Sequence, residues 1–230
     1  MLRKSIVEAI GTFFLVLTIG QVVIEPGAGN LAPVAIGSVL MVMIFAGGHV
    51  SGGHFNPAVT LGVFLRGRAS SSDLLAYWIA QTVGALVAVA AVRVLKGTYE
   101  VMALEPEVVP ALLGEFLFTF ALVYVVLNVA TARGNEGNSH YGLAIGFTVM
   151  VGAYAVGGIS GGAFNPAVAI GITLLGLTAA GSLWLYLLAN LAGGAAAAVV
   201  FKALDLGADK PTAATAAEQA KLRAPADTSG

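Results

Sequence analysis

Two short segments of the chain repeat almost the same residues, and their polar side chains have the types and spacing that could support chemistry. They read SGGHFNPAVTLG at residues 51–62 and SGGAFNPAVAIG at residues 160–171. Asn is favoured immediately before a helix, and Pro is tolerated at the first helical position because no hydrogen bond is lost there. The repeated Asn-Pro therefore predicts that Asn56 and Asn165 each cap the start of a helix.

The apolar residues that follow each Asn are too few to cross a membrane. They run over 57–65 and 166–176 and make about two to three helical turns, whereas a spanning helix needs about 20 residues. A Gly-rich strip that leads into such a half-helix predicts a segment that enters a membrane and turns back. Irregular backbone at that depth is tolerated only where it packs in protein or lines a watery cavity.

Two half-helices that meet near the middle of a membrane would point their positive N-terminal ends at one spot. The side-chain amides of Asn56 and Asn165 would offer hydrogen-bond donors at the same place. Positive helix ends and amide donors attract the oxygen of a neutral polar solute and repel cations. The two segments thus predict a site that favours neutral polar solutes over cations.

The composition indicates an integral membrane protein. Of 230 residues, 58% are hydrophobic and 10% are charged, and the mean hydropathy is +0.90. Soluble domains carry roughly a quarter charged residues, and charge is expensive within a bilayer. The net charge of −1 and the lack of a basic patch argue against nucleic acid as a partner.

Enzymatic functions find no support in the sequence. The chain contains no cysteine, which excludes disulfides, thiolate metal sites and a cysteine nucleophile. It has no Ser/His/Asp constellation beyond what chance supplies, no cluster with metal-ligand spacing and no phosphate-binding loop. We therefore expect no catalysis, no metal and no cofactor.

Six stretches are long and apolar enough to be predicted as membrane-spanning helices. They lie near 5–24, 33–50, 73–95, 108–130, 141–157 and 181–203. With the N-terminus inside, nine Lys and Arg residues fall on the inner side, and only Arg93 and Lys96 fall outside. The positive-inside rule then predicts that both termini are cytoplasmic. We expect a multi-pass protein of the plasma (inner) membrane.

The repetition extends to two whole halves of the chain. Residues 35–62 and 144–171 are identical at more than half of their aligned positions, and Glu8 and Glu115 each stand four residues before a Thr. Each half holds three spans, an odd number, so the two halves would be inserted with opposite orientations. We predict a first inverted repeat over 1–96, an exterior linker over 97–107, a second inverted repeat over 108–203 and a disordered cytoplasmic tail over 204–230.

The paired motifs Asn56-Pro57-Ala58 and Asn165-Pro166-Ala167, each after a Gly-rich loop, resemble those of the aquaporin (major intrinsic protein) family. The resemblance covers essentially residues 5–203. It implies an all-α membrane protein with six transmembrane helices and two re-entrant half-helices. It also implies a lipid-embedded homotetramer with one pore in each subunit.

Three ionisable residues near the loops allow two interpretations. By the resemblance, Glu8 and Glu115 accept hydrogen bonds from loop backbone, and His54 helps to hold its loop. An acid within a membrane can instead relay protons. His54 can instead bind a metal or act as a pH-dependent gate.

The resemblance also implies a second constriction, on the extracellular side of the two Asn, at Ile36, Ala153, Gly162 and Val168. Water-selective members place an aromatic residue, a His and an Arg there, whereas this chain has NPAV where NPAR is usual. If the alignment contains a gap, Tyr154 takes the place of Ala153. An Arg narrows a pore and raises the barrier to cations, and Val168 does neither.

This arginine-free constriction is similar to that of the plant tonoplast intrinsic proteins, which also carry Val after the second motif. The similarity implies a passive channel for water and small neutral solutes such as glycerol, urea and hydrogen peroxide. One alternative is a water-selective channel. Another is an ion-coupled secondary transporter, because inverted repeats with broken helices also build those.

Overall fold

The computed structural model describes residues 1–207, and within them every regular element is helical. Tight helical turns lie in the connections, at Gly29–Leu31, Arg133–Asn135 and Ala180–Ser182. The α-helices of this range are α1 Leu2–Val23, α2 Ala32–Ser51, α3 Pro57–Leu65, α4 Ser71–Lys96, α5 Val108–Thr131, α6 Tyr141–Ser160, α7 Pro166–Leu174 and α8 Leu183–Ala203.

Six of these helices are long and apolar enough to cross a membrane, which confirms the six predicted spans and the all-α membrane fold. Helices α3 and α7 have nine residues each and are the two half-helices. Helix α7 ends at Leu174 rather than at the predicted residue 176. The chain turns there because Gly176 adopts a φ of +78°, which a helix cannot continue.

Small residues let the long helices of each half cross closely. At Gly84 in α4, an added Cβ would lie 2.3 Å from the carbonyl oxygen of Ala9 in α1. At Gly193 in α8, an added Cβ would lie 2.6 Å from the carbonyl oxygen of Phe116 in α5. Neither crossing has room for a side chain, so the two glycines set a similar helix distance in both halves.

A third close crossing joins the two halves through α2 and α6. A Cβ at Gly37 would lie 2.6 Å from the carbonyl oxygen of Gly146, and a Cβ at Gly146 would lie 2.4 Å from that of Gly37. Backbone therefore meets backbone at this point. Of the long helices, α4, α5 and α8 pack against α3, and α1, α4 and α8 pack against α7.

The two faces of the bundle are named here by the chain segments they carry. The linker face carries residues 97–107, and the terminal face carries the start of α1 and the loop 132–140. The linker is held to the chain after α7, because Leu104 N–H donates to Leu177 O at 2.9 Å and Leu104 O accepts from Ala179 N–H at 3.0 Å.

The tail predicted over 204–230 falls mostly outside the described residues. Residues 204–207 form a turn after α8, and the carbonyl oxygen of Gly207 accepts a hydrogen bond from Arg66 at 3.5 Å. Residues 208–230 lie outside the described range.

Candidate functional site

The two half-helices begin in the same way. Asn56 and Asn165 have extended backbone, with φ of −157° and −159°, and each stands directly before the Pro that opens its half-helix. Asn56 Oδ1 accepts from the backbone N–H of Ala58 at 2.8 Å, and Asn165 Oδ1 accepts from that of Ala167 at 2.9 Å. Each Asn thus caps its half-helix, and each Pro loses no hydrogen bond.

The two Asn side chains also bind the opposite loop. Asn56 Nδ2 donates to Phe164 O at 2.9 Å, and Asn165 Nδ2 donates to Phe55 O at 2.9 Å. The two Phe residues have φ of +49° and +48°, which bulky residues rarely adopt unless the surroundings hold them. A carboxamide has two N–H groups, and both Asn line the same cavity, so each keeps one donor for a solute.

A buried carboxylate anchors the first loop. Glu8 accepts from the backbone N–H groups of His54 and Phe55 and from the side chains of Ser51 and Gln81, at 2.6 to 2.9 Å. Glu8 is fully buried. The four donors hold the carboxylate in place and fix the path of the loop into α3.

Glu115 has the same position in the second half. It accepts from the backbone N–H groups of Ala163 and Phe164 and from the hydroxyl of Ser160, at 2.7 to 2.8 Å. Both carboxylates therefore face loop backbone, and neither lines the cavity that contains the two Asn.

The first loop carries additional polar contacts. His54 Nδ1 lies 3.1 Å from Thr60 Oγ1, and Gln81 Nε2 donates to Thr60 Oγ1 at 3.0 Å. The Thr60 hydroxyl in turn donates to Asn56 O at 3.0 Å. At the corresponding positions the second half has Ala163, Ala169 and Asn190.

A cavity of about 520 Å³, named here the linker-side cavity, extends from the linker face to both Asn side chains. Its wall is mostly apolar, and its charged lining residues, Glu25 and Glu100, belong to the segments of the linker face. The four residues predicted for the second constriction all line it: Ile36, Ala153, Gly162 and Val168.

Tyr154, the alternative to Ala153, lies elsewhere. Its side chain is exposed on the outside of the bundle, and its hydroxyl donates to Asn30 O at 2.8 Å. Ala153 therefore lines the cavity at this level of α6, and Tyr154 does not.

Two further cavities continue from the linker-side cavity toward the terminal face. A middle cavity of about 190 Å³ shares His54 and Val126 with it. A terminal-side cavity of about 610 Å³ follows. The residues that line both the middle and the terminal-side cavities are Gly52, Arg68, Ala130 and Thr131.

Val59 and Val126 are among the lining residues that sequence reasoning missed. Val59 lines the linker-side cavity and stands in the first half where Val168 stands in the second, so the offset between the two Asn could have found it. Val126 in α5 carries no motif, and only the packing of α5 against the loops brings it to the passage.

Two cations that the sequence analysis used only to orient the chain donate hydrogen bonds to the C-terminal ends of the half-helices. Arg93 donates to the carbonyl oxygen of Leu174, the last residue of α7, at 2.7 Å. Lys202 donates to that of Leu65, the last residue of α3, at 3.4 Å. A positive charge at a helix C-terminus is favourable, so both half-helices are stabilised at their ends.

The arrangement can hydrogen-bond a neutral solute and offers little to an ion. Amide donors stand at the meeting point of two helix N-termini, and the wall around them is apolar. Within residues 1–207, no three His, Asp or Glu side chains come together as a metal site would require.

Comparison with known proteins identifies the family. The family described as Major intrinsic protein matches residues 1–201 and, in an overlapping match, residues 140–224. Aquaporin NIP1-4 of Oryza sativa subsp. japonica is 36% identical over 91% of this chain and 79% of its own length. Glycerol uptake facilitator protein-like 6 of Lactiplantibacillus plantarum is 36% identical over 86% of this chain and 95% of its own length.

A solved structure supports the fold. The aquaglyceroporin from Plasmodium falciparum matches with a TM-score of 0.72, covering 87% of this chain and 95% of its own at 21% identity. At that identity the likeness concerns the fold alone. With the family match over most of the sequence and relatives above one-third identity, the chain belongs to the aquaporin, or major intrinsic protein, family.

Proposed function

We propose that the chain forms a passive channel for water and small neutral solutes, with glycerol, urea and hydrogen peroxide among them. The observation that carries the proposal is the linker-side cavity, which reaches both Asn side chains and has no Lys or Arg among the described residues that line it. A relative named as a glycerol uptake facilitator protein is 36% identical to this chain, which supports glycerol as a solute.

In this channel, Asn56 and Asn165 orient the oxygen of a passing solute through their free amide hydrogens. Ile36, Ala153, Gly162 and Val168 form an apolar section between the Asn pair and the linker face. This section admits a carbon backbone because it lacks the planar charged group that an Arg would project. The channel function requires no catalytic group.

The contacts of the two buried acids favour a channel over an ion-coupled transporter. Glu8 and Glu115 accept four and three hydrogen bonds from their loops and the neighbouring helices. Both side chains are fully buried, and neither lines the cavity. Carboxylates held in this way support the loops and are poorly placed to load and release a proton in each cycle. A coupled transporter needs such a group within reach of the passage.

Location and assembly follow the sequence expectations. The linker face is proposed to lie outside and the terminal face in the cytoplasm, across a plasma (inner) membrane, with the chain as a homotetramer. The proposed units are the two inverted repeats over 1–96 and 108–203, which the Asn56 and Asn165 contacts bring together.

Stopped-flow light scattering on proteoliposomes tests the function. Vesicles with the purified protein should shrink and refill faster than empty vesicles under water, glycerol and urea gradients. Flux should scale with the solute gradient and should not change when ionophores collapse proton or sodium gradients. Accumulation of a solute against its gradient would contradict the channel and support a transporter.

A further inference from the structure

The passage is divided on the terminal side of the Asn pair. Among the described residues, His54 and Val126 alone line both the linker-side and the middle cavity. The four residues of the proposed constriction, by contrast, all lie within one continuous cavity of about 520 Å³. The boundary between the two cavities therefore lies at His54 and Val126, whereas Val168 lies within one of them.

The symmetry of the two halves shows why the division lies on this side. His54 corresponds to Ala163 in the second loop, and Val126 in α5 corresponds to Ile19 in α1. Ala163 and Ile19 also line the linker-side cavity, which continues past them without a break. A methyl group thus stands in one half where an imidazole ring stands in the other.

The hydrogen bonds assigned at Thr60 imply one tautomer for His54. The Thr60 hydroxyl donates its single hydrogen to Asn56 O at 3.0 Å, where the backbone N–H of Thr60 also donates at 2.9 Å. Thr60 Oγ1 must then accept from both neighbours, from Gln81 Nε2 at 3.0 Å and from His54 Nδ1 at 3.1 Å. In the neutral ring, Nδ1 carries the hydrogen and Nε2 is a free acceptor.

The acceptor nitrogen lies toward the middle cavity. A Cβ built at Gly52, which lines that cavity, would lie 3.0 Å from His54 Nε2. Gly52 has a φ of +94° and no side chain to cover the ring. The edge-to-face contact with Tyr77, at 5.2 Å between ring centroids, limits rotation of the imidazole.

We propose that His54 and Val126 form the section that selects solutes in this channel. The section limits their width and offers the Nε2 acceptor to an O–H or N–H group. The inference rests on the proposed channel function and assigns the selection among its solutes to the terminal side of the Asn pair. A solute such as glycerol or urea then meets donors at Asn56 and Asn165 and an acceptor at His54.

Substitutions at Val126 test the width. In proteoliposomes, Val126→Ala should raise the glycerol-to-water permeability ratio several-fold, and Val126→Leu should lower it. Val125→Ala is the matched control, because it trims the neighbouring valine of α5, which lines none of the three cavities, and it should leave the ratio near that of the parent. Because the two Val126 variants act in opposite directions, either one that folds is informative.

The variant His54→Leu tests the role of His54 Nε2 as a hydrogen-bond acceptor. His54→Leu keeps much of the bulk of the ring and removes Nε2, so water and urea permeability should both fall several-fold. Protein content and oligomeric state are matched by size-exclusion chromatography before reconstitution. Unchanged water and urea permeability in folded His54→Leu would show that Nε2 does not contact the solutes.

The outcomes separate this inference from the proposed function. If the parent protein conducts but Val126→Ala and Val126→Leu keep its glycerol-to-water ratio, or if Val125→Ala changes the ratio as much, the selecting section is wrong and the channel stands. If the parent conducts neither water nor glycerol, the proposed function itself fails.

Discussion

The two loops that lead into the half-helices share their supports and differ in the side chains that face the passage. In both, a Tyr hydroxyl from a long helix donates to the backbone of a Ser: Tyr77 to Ser51 O at 2.7 Å, and Tyr186 to Ser160 O. A buried Glu holds each loop, and an Asn caps each half-helix. The backbone of the two loops is therefore held by the same kinds of contact.

The difference begins where the side chains meet the passage. The first loop places the His54 ring there, supported by Thr60 and Gln81, whereas the second loop has only the methyl group of Ala163. The linker-side cavity is consequently mostly apolar, whereas an imidazole ring stands at its boundary with the middle cavity. The two loops therefore have equivalent backbone contacts and different lining side chains, and this difference makes the passage asymmetric.

The largest effect is expected from removing a loop anchor. Glu8→Ala leaves four buried donors unpaired and Glu115→Ala leaves three, and each unpaired group costs about 1–3 kcal/mol. Both variants should unfold at much lower temperature in detergent, Glu8→Ala more so, and should lose water permeability. Glu105→Ala, on the exposed linker, is the control. A melting temperature equal to that of the parent would contradict the anchoring role.

The Asn pair should respond equally in both halves. Asn56→Asp and Asn165→Asp each replace the Nδ2 donor to a Phe carbonyl by an oxygen and add negative charge between two positive helix ends. Neutral-solute flux should fall about tenfold, the equivalent of about 1.4 kcal/mol, and cation leak should rise. If one variant is impaired and the other unchanged, the two Asn do not share one site.

The sequence predicted the spans and the half-helices because both depend on local signals. Apolar length defines the six spans, and Asn followed by Pro marks the starts of α3 and α7. The predicted end of α7, at residue 176, lies two residues beyond the observed end at Leu174. The backbone conformation of a single residue, Gly176, decides where this helix ends.

The division of the passage could not be predicted from the sequence. It depends on Val126, which is one of many apolar residues in α5 and reaches the passage only through packing. It also depends on the His54 ring position, which Thr60 fixes from six residues away and Tyr77 from another helix. The offset between the two repeats identifies Ala163 as the counterpart of His54. It does not show that the passage is divided at His54 and continuous at Ala163.

A smaller effect is expected when Thr60 in α3 is replaced by the alanine that α7 has at the same position. Thr60→Ala copies Ala169 and removes the shared acceptor of His54 and Gln81, which should cost about 1–3 kcal/mol of stability. Thermal unfolding in detergent measures it. Thr82→Ala is the control, because the Thr82 hydroxyl bonds only its own helix, at Trp78 O. Equal stability of the two variants would argue against the polar contacts of the first loop.

The smallest effect concerns the far ends of the half-helices. Arg93→Met and Lys202→Met remove the cations that donate to Leu174 O and Leu65 O, and a charge at a helix end contributes about 0.3–1 kcal/mol. Arg93→Met should lower the melting temperature more, because its contact is 2.7 Å against 3.4 Å for Lys202. Arg3→Gln, at the start of α1, should not destabilise the protein. The reverse order of Arg93→Met and Lys202→Met would contradict the ranking by distance, and melting temperatures equal to that of the parent in both would contradict the capping.

The most direct test of a wide, arginine-free passage is the ratio of glycerol to water permeability in Val168→Arg. Val168 is 3% exposed and lines the linker-side cavity with Ile36, Ala153 and Gly162. A guanidinium there occupies the width that glycerol needs and leaves room for water in single file. Val168→Leu, which adds bulk without charge, is compared in the same vesicles after both variants are shown to assemble like the parent. Val168→Arg should lower the glycerol-to-water permeability ratio strongly, well below that of Val168→Leu. An unchanged ratio in well-folded Val168→Arg would contradict a wide, arginine-free passage.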